Sequence, residues 1–292
     1  MVRPLLAALL LGMLPASTVP LDSDSLAGFL QVSISPPSEA IDVEERLSAS
    51  GVIIADVAGG QSLYRKQADV RRPMASLTKL MTALLIVEHH TMDEWVTVPV
   101  ATGRVEGNKI YLPPGEQFTV GNLLSALLIA SANDAAEVLA IYHSGSVSAF
   151  VEEMNARAGA LGLKDTQYAN PSGLDSSLQW STPQDLTWLA SFVLRKPEIR
   201  ERMGKRGTRI ISRQGSTIPL THTHALLGTE SEVVAGKTGT TMGAKECLLS
   251  VVDAGGHEYV VVLLHSLERY KDMLKILSAI EQRASETATA LL

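Results

Sequence analysis

The stretch Pro73-Met74-Ala75-Ser76-Leu77-Thr78-Lys79-Leu80-Met81-Thr82-Ala83-Leu84-Leu85 decides how the rest of the chain is read. Its apolar residues Leu77, Leu80, Met81, Leu84 and Leu85 recur at the spacing of a helix that buries one stripe. Proline is tolerated near a helix start, which puts Pro73 just upstream and Ser76 at or near the first turn. Lys79 follows three residues on, and an i, i+3 pair shares a helix face. A hydroxyl and an amine are thereby set side by side at the positive end of a helix that the core holds still. A serine hydroxyl is a weak nucleophile until a base takes its proton. A lysine can be that base if burial and nearby cations lower its pKa. Free backbone N–H groups at a helix start suit an anionic intermediate. A lone Ser-x-x-Lys is more often a capping serine followed by a solvated lysine, so the surrounding chain has to decide.

Upstream, Gly51-Val52-Ile53-Ile54-Ala55-Asp56-Val57 is apolar and β-branched, as a well-buried strand is. Ala58-Gly59-Gly60 is turn material, and Gln61 to Arg65 can return as a second strand. Downstream, residues 92–118 are loop-rich with short strands. Thr119 is a good N-cap for a helix through Leu123, Leu124, Leu127, Leu128 and Ile129, apolar on more than one face. It ends at Ala130-Ser131-Ala132-Asn133, and another helix starts near Asp134. Ser148 to Ala160 is a further helix with Gly162 as its C-cap. Asn170-Pro171-Ser172-Gly173-Leu174-Asp175 is a dense turn signal, and Thr182-Pro183 opens a helix through Leu186, Leu189 and Phe192.

From Arg209 the character changes to strands: Arg209–Ser212, Val233–Thr240, Cys247–Val252 and Tyr259–His265, the last two joined by Asp253-Ala254-Gly255-Gly256. A closing helix runs from about Tyr270 to Arg283, with Met273, Leu274, Leu277 and Ile280 on one face. Strands at both ends bracket a helical middle. The expected class is therefore α+β: one antiparallel sheet flanked by helices, with an inserted helical lobe.

The chain has 292 residues, 46% of them hydrophobic and 19% charged, which fits one large globular core rather than a disordered chain. The formal net charge is −6, with no basic cluster interleaved with aromatics, which argues against nucleic-acid binding. Cys247 is alone and sits in an apolar run, so it is expected as a small buried hydrophobe. Met1-Val2-Arg3, an apolar run to Leu14 and the small residues that follow form a secretory signal pattern, too short for a comfortable membrane span. The expected organisation is a signal peptide over 1–20, a linker over 21–39, one domain over 40–285 and a tail over 286–292. Export places that domain in the periplasm or another extracytoplasmic space, with membrane association left open.

Three motifs occur in order: Ser76-Leu77-Thr78-Lys79, Ser131-Ala132-Asn133 and Lys237-Thr238-Gly239. Each is weak alone, but the first opens a buried helix, the second lies between helices and the third lies on a strand. The combination resembles the penicillin-binding proteins and serine β-lactamases. Pro73 to Ala83, Thr119 to Leu124, Ser131 to Ala136 and Asn170 to Asp175 are similar to the low-molecular-mass D-alanyl-D-alanine carboxypeptidases, over roughly residues 40 to 283.

The resemblance implies a serine peptidase that removes the terminal D-alanine of peptidoglycan stem peptides through an acyl-enzyme. It also implies covalent β-lactam binding, with no cofactor and no metal. Ser76 would be the nucleophile and Lys79 its base, with Ser131 relaying a proton from Lys79 to the leaving amine. Asn133 would hydrogen-bond the substrate amide, and Lys237, Thr238 and Thr240 would bind the terminal carboxylate. The oxyanion hole would be the N–H groups of Ser76 and Thr240. Gly236 and Gly239 would clear the strand for substrate. A β-lactamase, a D,D-endopeptidase and a non-catalytic peptidoglycan-binding protein are the alternatives. The glutamate loop of common serine β-lactamases, of Glu-x-x-Leu-Asn type, has no match between Ser131 and Lys237.

The sequence departs from the family near the third motif. Thr240 stands where a bulkier residue is frequent, and Ala244-Lys245 replaces a usual Ala-Gly pair. Thr221 to Gly228 replaces an asparagine-rich segment. Many relatives continue into a β-rich domain and an amphipathic anchor, which are not seen before Leu292. His222-x-His224 could present two imidazoles to a metal, but without a third ligand surface histidines are expected. His89-His90 suits a helix C-terminus, Glu152-Glu153 a solvated face, and Glu106-Gly107 and Asp134 structural roles. The oligomeric state is left open.

Overall fold

The computed structural model describes residues 47–290 apart from 58, 59, 101, 103 and 104, together with 41 and 43, and side chains as far as residue 285. The expected signal peptide and linker lie outside the described residues. Among those described, no helix is long and apolar enough to cross a membrane.

The apolar, β-branched segment at Gly51–Asp56 forms β1 and pairs with β2 (Ser62–Lys66). The chain then turns through a short 3-10 segment, Ala75–Thr78, into α1 (Lys79–His89). A small hairpin of β3 (Trp95–Thr97) and β4 (Gln117–Thr119) leads into α2 (Val120–Leu128). Then come α3 (Asn133–Ser144), α4 (Val147–Ala160), α5 (Pro183–Val193) and α6 (Pro197–Met203). A second hairpin, β5 (Gly207–Ile211) and β6 (Thr217–Thr221), precedes the long strands β7 (Val233–Thr241), β8 (Lys245–Ala254) and β9 (His257–Ser266). The closing helix α7 spans Arg269–Ala290, past the boundary expected at 285.

The main sheet has the order β2-β1-β9-β8-β7 and is antiparallel throughout, so the late strands complete a sheet begun by the early ones. Its strands are apolar on both faces because both faces are covered. Period-two alternation decides which side chain goes where. Ile53, Leu249 and Val262 join the core shared with the helical lobe, whereas Val52, Ile54, Leu248, Val261 and Leu263 pack with Met273, Ile276 and Ile280 of α7. Each fully buried aliphatic side chain of this kind contributes about 1.5–3 kcal/mol. The β8–β9 turn uses Gly255 and Gly256 at positive φ, as a tight hairpin demands.

The caps follow the sequence. Thr119 Oγ1 accepts from Asn122 N at 3.1 Å, and Thr182 Oγ1 from Asp185 N at 3.0 Å with Pro183 opening α5. α1 departs from the expected stripe. Every residue from Lys79 to Ile86 is buried, because α2, α3, α4, α5 and α6 all pack against it. The buried Thr82 is satisfied by donating to Pro171 O at 2.8 Å.

The N-termini of α1 and α3 meet at the candidate site, and their C-terminal ends are tied as well. His90 Nδ1 lies 2.7 Å from Glu94 Oε2, His90 Nε2 lies 2.9 Å from His143 Nδ1, and His143 Nε2 lies 2.8 Å from Glu153 Oε2. His89 Nδ1 lies 2.9 Å from Leu85 O, a helix-end contact of the expected kind. Glu153 therefore does more than face solvent.

Candidate active site

Ser76 sits in the 3-10 turn, not in the first α-helical turn. Ala75 ahead of it has φ +49°, left-handed for a residue with a Cβ. That turn is wedged between two glycines. A Cβ on Gly173 would overlap Ala75 O outright, and one on Gly239 would lie 2.9 Å from Ser76 N. Gly239 thus admits the nucleophile turn itself, which replaces the expectation that it clears room for substrate. Gly236 likewise admits the His224 ring, 2.5 Å from where its Cβ would be.

Lys79 is the first residue of α1 and is completely buried. Its Nζ lies 3.0 Å from Ser76 Oγ, 2.6 Å from Asn133 Oδ1 and 2.6 Å from Ser172 O. The last two partners only accept. A neutral amine has two N–H groups and one lone pair. Once Lys79 loses a proton, its two N–H groups still satisfy Asn133 and Ser172, and the lone pair is left facing the Ser76 hydroxyl. Burial, and secondly the charge of Lys237, push the Lys79 pKa well below 10.5, against an opposing pull from Asp134. Geometry and electrostatics therefore agree on a base.

Each partner of Lys79 is itself held. Asn133 Nδ2 donates to Glu106 O at 2.8 Å, which fixes the amide so that Oδ1 faces the lysine. The carbonyl of Ser172 is aimed by the Asn170 turn, whose Oδ1 accepts from the N–H groups of Ser172, Gly173 and Leu174 at 3.2, 2.7 and 3.1 Å.

Ser131 is left-handed at φ +57° and buried between α2 and α3. Its Oγ accepts from Lys237 Nζ at 2.7 Å, so in this structure it is engaged by Lys237 and not by Lys79. Lys237, on β7, is also fully buried and donates to Thr238 O at 2.8 Å. Burial, then the Arg269 charge, lower its pKa to about 7. Thr238 Oγ1 donates to Thr223 Oγ1 at 2.6 Å, and the exposed Thr240 accepts through Oγ1 from Arg269 Nη1 at 2.8 Å. Arg269 also donates to Gly239 O at 2.9 Å.

The seven expected residues fall into neighbouring hydrogen-bonded groups: Ser76, Lys79 and Asn133 in one, Ser131, Lys237 and Thr238 in a second, and Thr240 with Arg269 at the rim. The carbonyls of Ser172 and Glu106, Thr223 and Arg269 were not foreseen. Only the turn signal around Asn170 hinted at the first. His222 and His224 are buried, against the expectation of surface positions. His222 Nδ1 accepts from His224 N at 3.0 Å, and His224 Nε2 lies 2.8 Å from Ser250 Oγ. Burial lowers their pKa to about 4 and about 3, so both stay neutral beside the cations of the site. Cys247 is buried as expected, its pKa raised to about 12. Lys245, the first residue of β8, adopts φ +57°, left-handed for a residue with a Cβ.

The D-alanyl-D-alanine carboxypeptidase family model matches residues 37–267, the span that contains Ser76, both lysines and their partners up to Thr240. The chain belongs to this family. It is 31% identical over 251 residues to the D-alanyl-D-alanine carboxypeptidase DacF of Bacillus subtilis, a match covering 82% of this chain and 64% of the relative, just under two thirds of its length. It is 30% identical over 251 residues to a D-alanyl-D-alanine endopeptidase of Pseudomonas aeruginosa, covering 84% and 81%. Among solved structures, the Streptomyces K15 DD-transpeptidase superposes with a TM-score of 0.76 at 29% identity, covering 80% of this chain and 97% of that one. Family membership, with these solved relatives, also fixes the fold class expected from strands at both ends of a helical middle.

Two opposed pH dependences follow. A base at Lys79 works only when neutral, so acylation at Ser76 is expected to rise with pH through the lowered pKa of that lysine. A carboxylate held by Lys237 needs that lysine charged, so kcat/KM for anionic substrates is expected to fall above about pH 7. A substrate amidated at its C-terminus is expected to lose the falling limb only, which a pH series on both substrates checks. Stability moves separately. Between about 7 and 10.5 the unfolded chain binds a proton at Lys237 that the folded chain does not, so this lysine makes stability rise with pH across that window.

Proposed function

We propose that this family member is a serine-type D-Ala-D-Ala carboxypeptidase acting on peptidoglycan stem peptides. The observation that carries it is the buried Lys79 amine, held by two pure acceptors and turned toward Ser76 Oγ at 3.0 Å. Ser76 Oγ attacks the carbonyl of the penultimate D-alanine while Lys79 takes its proton. The C–N bond breaks as the proton taken by Lys79 passes to the amine of the departing terminal D-alanine, which leaves an ester to Ser76 and a neutral lysine. Water then attacks that ester and restores the hydroxyl. Ser131 is the candidate relay of that proton from Lys79 to the leaving amine; its Oγ accepts from Lys237 in this structure, so the relay requires its hydroxyl to turn toward Lys79.

Lys237, Thr238 and Thr240 are assigned to the substrate's terminal carboxylate, with Arg269 adding charge behind Thr240. Ser76 N and Thr240 N are assigned to the oxyanion; the close approach of Gly239 to Ser76 N supports that pairing. Asn133 has both ends of its amide engaged, so its first role is to position Lys79. A β-lactam carries a similar carbonyl and carboxylate and acylates the same serine. The substrate class calls for an extracytoplasmic protein, in keeping with an export signal over 1–20.

The test is fluorescent penicillin on the native protein and on Ser76→Ala, followed by intact mass over time and a D-alanine release assay. One stable adduct on the native protein alone, with D-alanine released from a stem peptide, is the expected result. A fast-vanishing adduct with accumulating hydrolysed penicillin points to a β-lactamase. Cleavage of crosslinked dimers ahead of free stem peptides points to an endopeptidase. No adduct on either protein points to a binding protein.

A further inference from the structure

Tyr111 is the most conspicuous side chain that the proposed chemistry leaves unused. It is 77% exposed, and its φ is +59°. A bulky aromatic residue in the left-handed region is uncommon and carries strain that its surroundings must hold in place. The holding group is Asp134, which is buried. Its Oδ2 accepts from Leu112 N at 3.1 Å and its Oδ1 lies 3.4 Å from Ile110 N, gripping the residues on either side of Tyr111.

The same loop is tied to the candidate site at three more points. Asn133 N donates to Asn108 O at 2.7 Å, Asn133 Nδ2 donates to Glu106 O at 2.8 Å, and Asn108 Nδ2 donates to Ala130 O at 2.6 Å. The loop is therefore the outer layer of the wall that Ser131 and Asn133 form opposite β7. The ammonium of Lys109 lies 5.3 Å from the centre of the Tyr111 ring and donates to Val105 O at 3.0 Å, which adds positive charge to the aromatic face.

We propose that Tyr111, with Lys109 beside it, is a specificity-determining platform for the part of the stem peptide upstream of the scissile bond. This rests on the function proposed above. With the terminal carboxylate on β7, the upstream chain must leave along the opposite wall, where a fixed aromatic face and a cation suit an acidic peptide. A loop that only closed a turn would place glycine or asparagine at φ +59°. Here the strain holds a large apolar surface in the open.

The test compares native protein, Tyr111→Gly, Tyr111→Ala and Tyr111→Phe on three reagents. These are a stem pentapeptide ending in D-Ala-D-Ala, an N-acetyl-D-Ala-D-Ala dipeptide, and a small penicillin. Thermal unfolding is followed in parallel. The expected result is a loss of about 3- to 10-fold in kcat/KM for the pentapeptide in the glycine and alanine variants, mostly in KM, as one aromatic contact supplies. Dipeptide turnover and penicillin acylation stay within about twofold of native. Tyr111→Phe keeps the activity, and Tyr111→Gly keeps or raises the Tm because the strain is gone. Equal losses on all three reagents, or no loss on the pentapeptide, overturn the platform, as does a Tm that falls in Tyr111→Gly. Native protein that accepts penicillin but releases D-alanine from neither peptide overturns the carboxypeptidase assignment instead.

Discussion

Lys79→Met is expected to lower the rate of Ser76 acylation by about 10³-fold while leaving a folded protein, since a positioned base contributes roughly 10²–10⁴-fold. The two halves of this outcome have separate causes. The rate falls because Nζ is the basic atom placed 3.0 Å from Ser76 Oγ. The fold persists because methionine fills nearly the same volume without charge. Replacing the buried lysine relieves the desolvation of its amine, while Asn133 Oδ1 and Ser172 O each lose a donor at a cost of about 1–3 kcal/mol. These effects oppose, and the net change in stability is expected within about 2 kcal/mol. Stopped-flow acylation by a fluorescent penicillin and a denaturant titration measure both. Acylation within about tenfold of native would move the base to Lys237, acting through Ser131 at 2.7 Å.

The sequence carried most strands and most helix starts because those depend on local rules. Period-two alternation, threonine caps and proline at a helix start act within a few residues, so Thr119, Thr182 and the β8–β9 turn could be placed from the residues alone. The motif residues were legible through their combination: Ser76 with Lys79, Ser131 with Asn133, and Lys237 with Thr238 are each weak alone, but their order and settings resemble one family.

What escaped was set by contacts distant in sequence. Nothing local marks Ala75, Ser131 or Lys245 as left-handed, because none is a glycine or asparagine. The full burial of α1 depends on five other helices arriving around it. Arg269 reaches Thr240 and Gly239 from the start of α7, and no pattern within that helix distinguishes it from a solvated arginine. The contacts of Ser131 with Lys237 and of Asn133 with Lys79 were not foreseen for the same reason. Which lysine each would meet depends on where β7 lies against the α2–α3 turn. Gly236 and Gly239 were placed correctly on their strand, yet their purpose is set by His224 and Ala75, neighbours that the strand pattern does not contain.

Gly173→Ala is expected to be among the most damaging single-methyl additions to this protein. Gly173 has φ +90°, and its added Cβ would overlap Ala75 O and Ala75 C and lie 2.8 Å from Ser76 N. All three are backbone atoms of the nucleophile turn, so no side chain can rotate away. Left-handed strain for alanine costs about 1–2 kcal/mol, and overpacking adds about 1–3 kcal/mol. The turn cannot slide as a unit without consequence, because Asn170 Oδ1 grips Gly173 N and the adjacent Ser172 O holds Lys79. A displacement of about 1 Å at the reacting atoms costs on the order of 10²-fold in rate. Stability and acylation are therefore expected to fall together, in contrast to Lys79→Met, where they separate. Gly159→Ala is the control: it lies within α4 with open space at its Cβ, and is expected to stabilise by about 1 kcal/mol without touching acylation. Gly173→Ala with native acylation would mean that the turn tolerates ångström shifts, and Ser172 would then not be what positions the base.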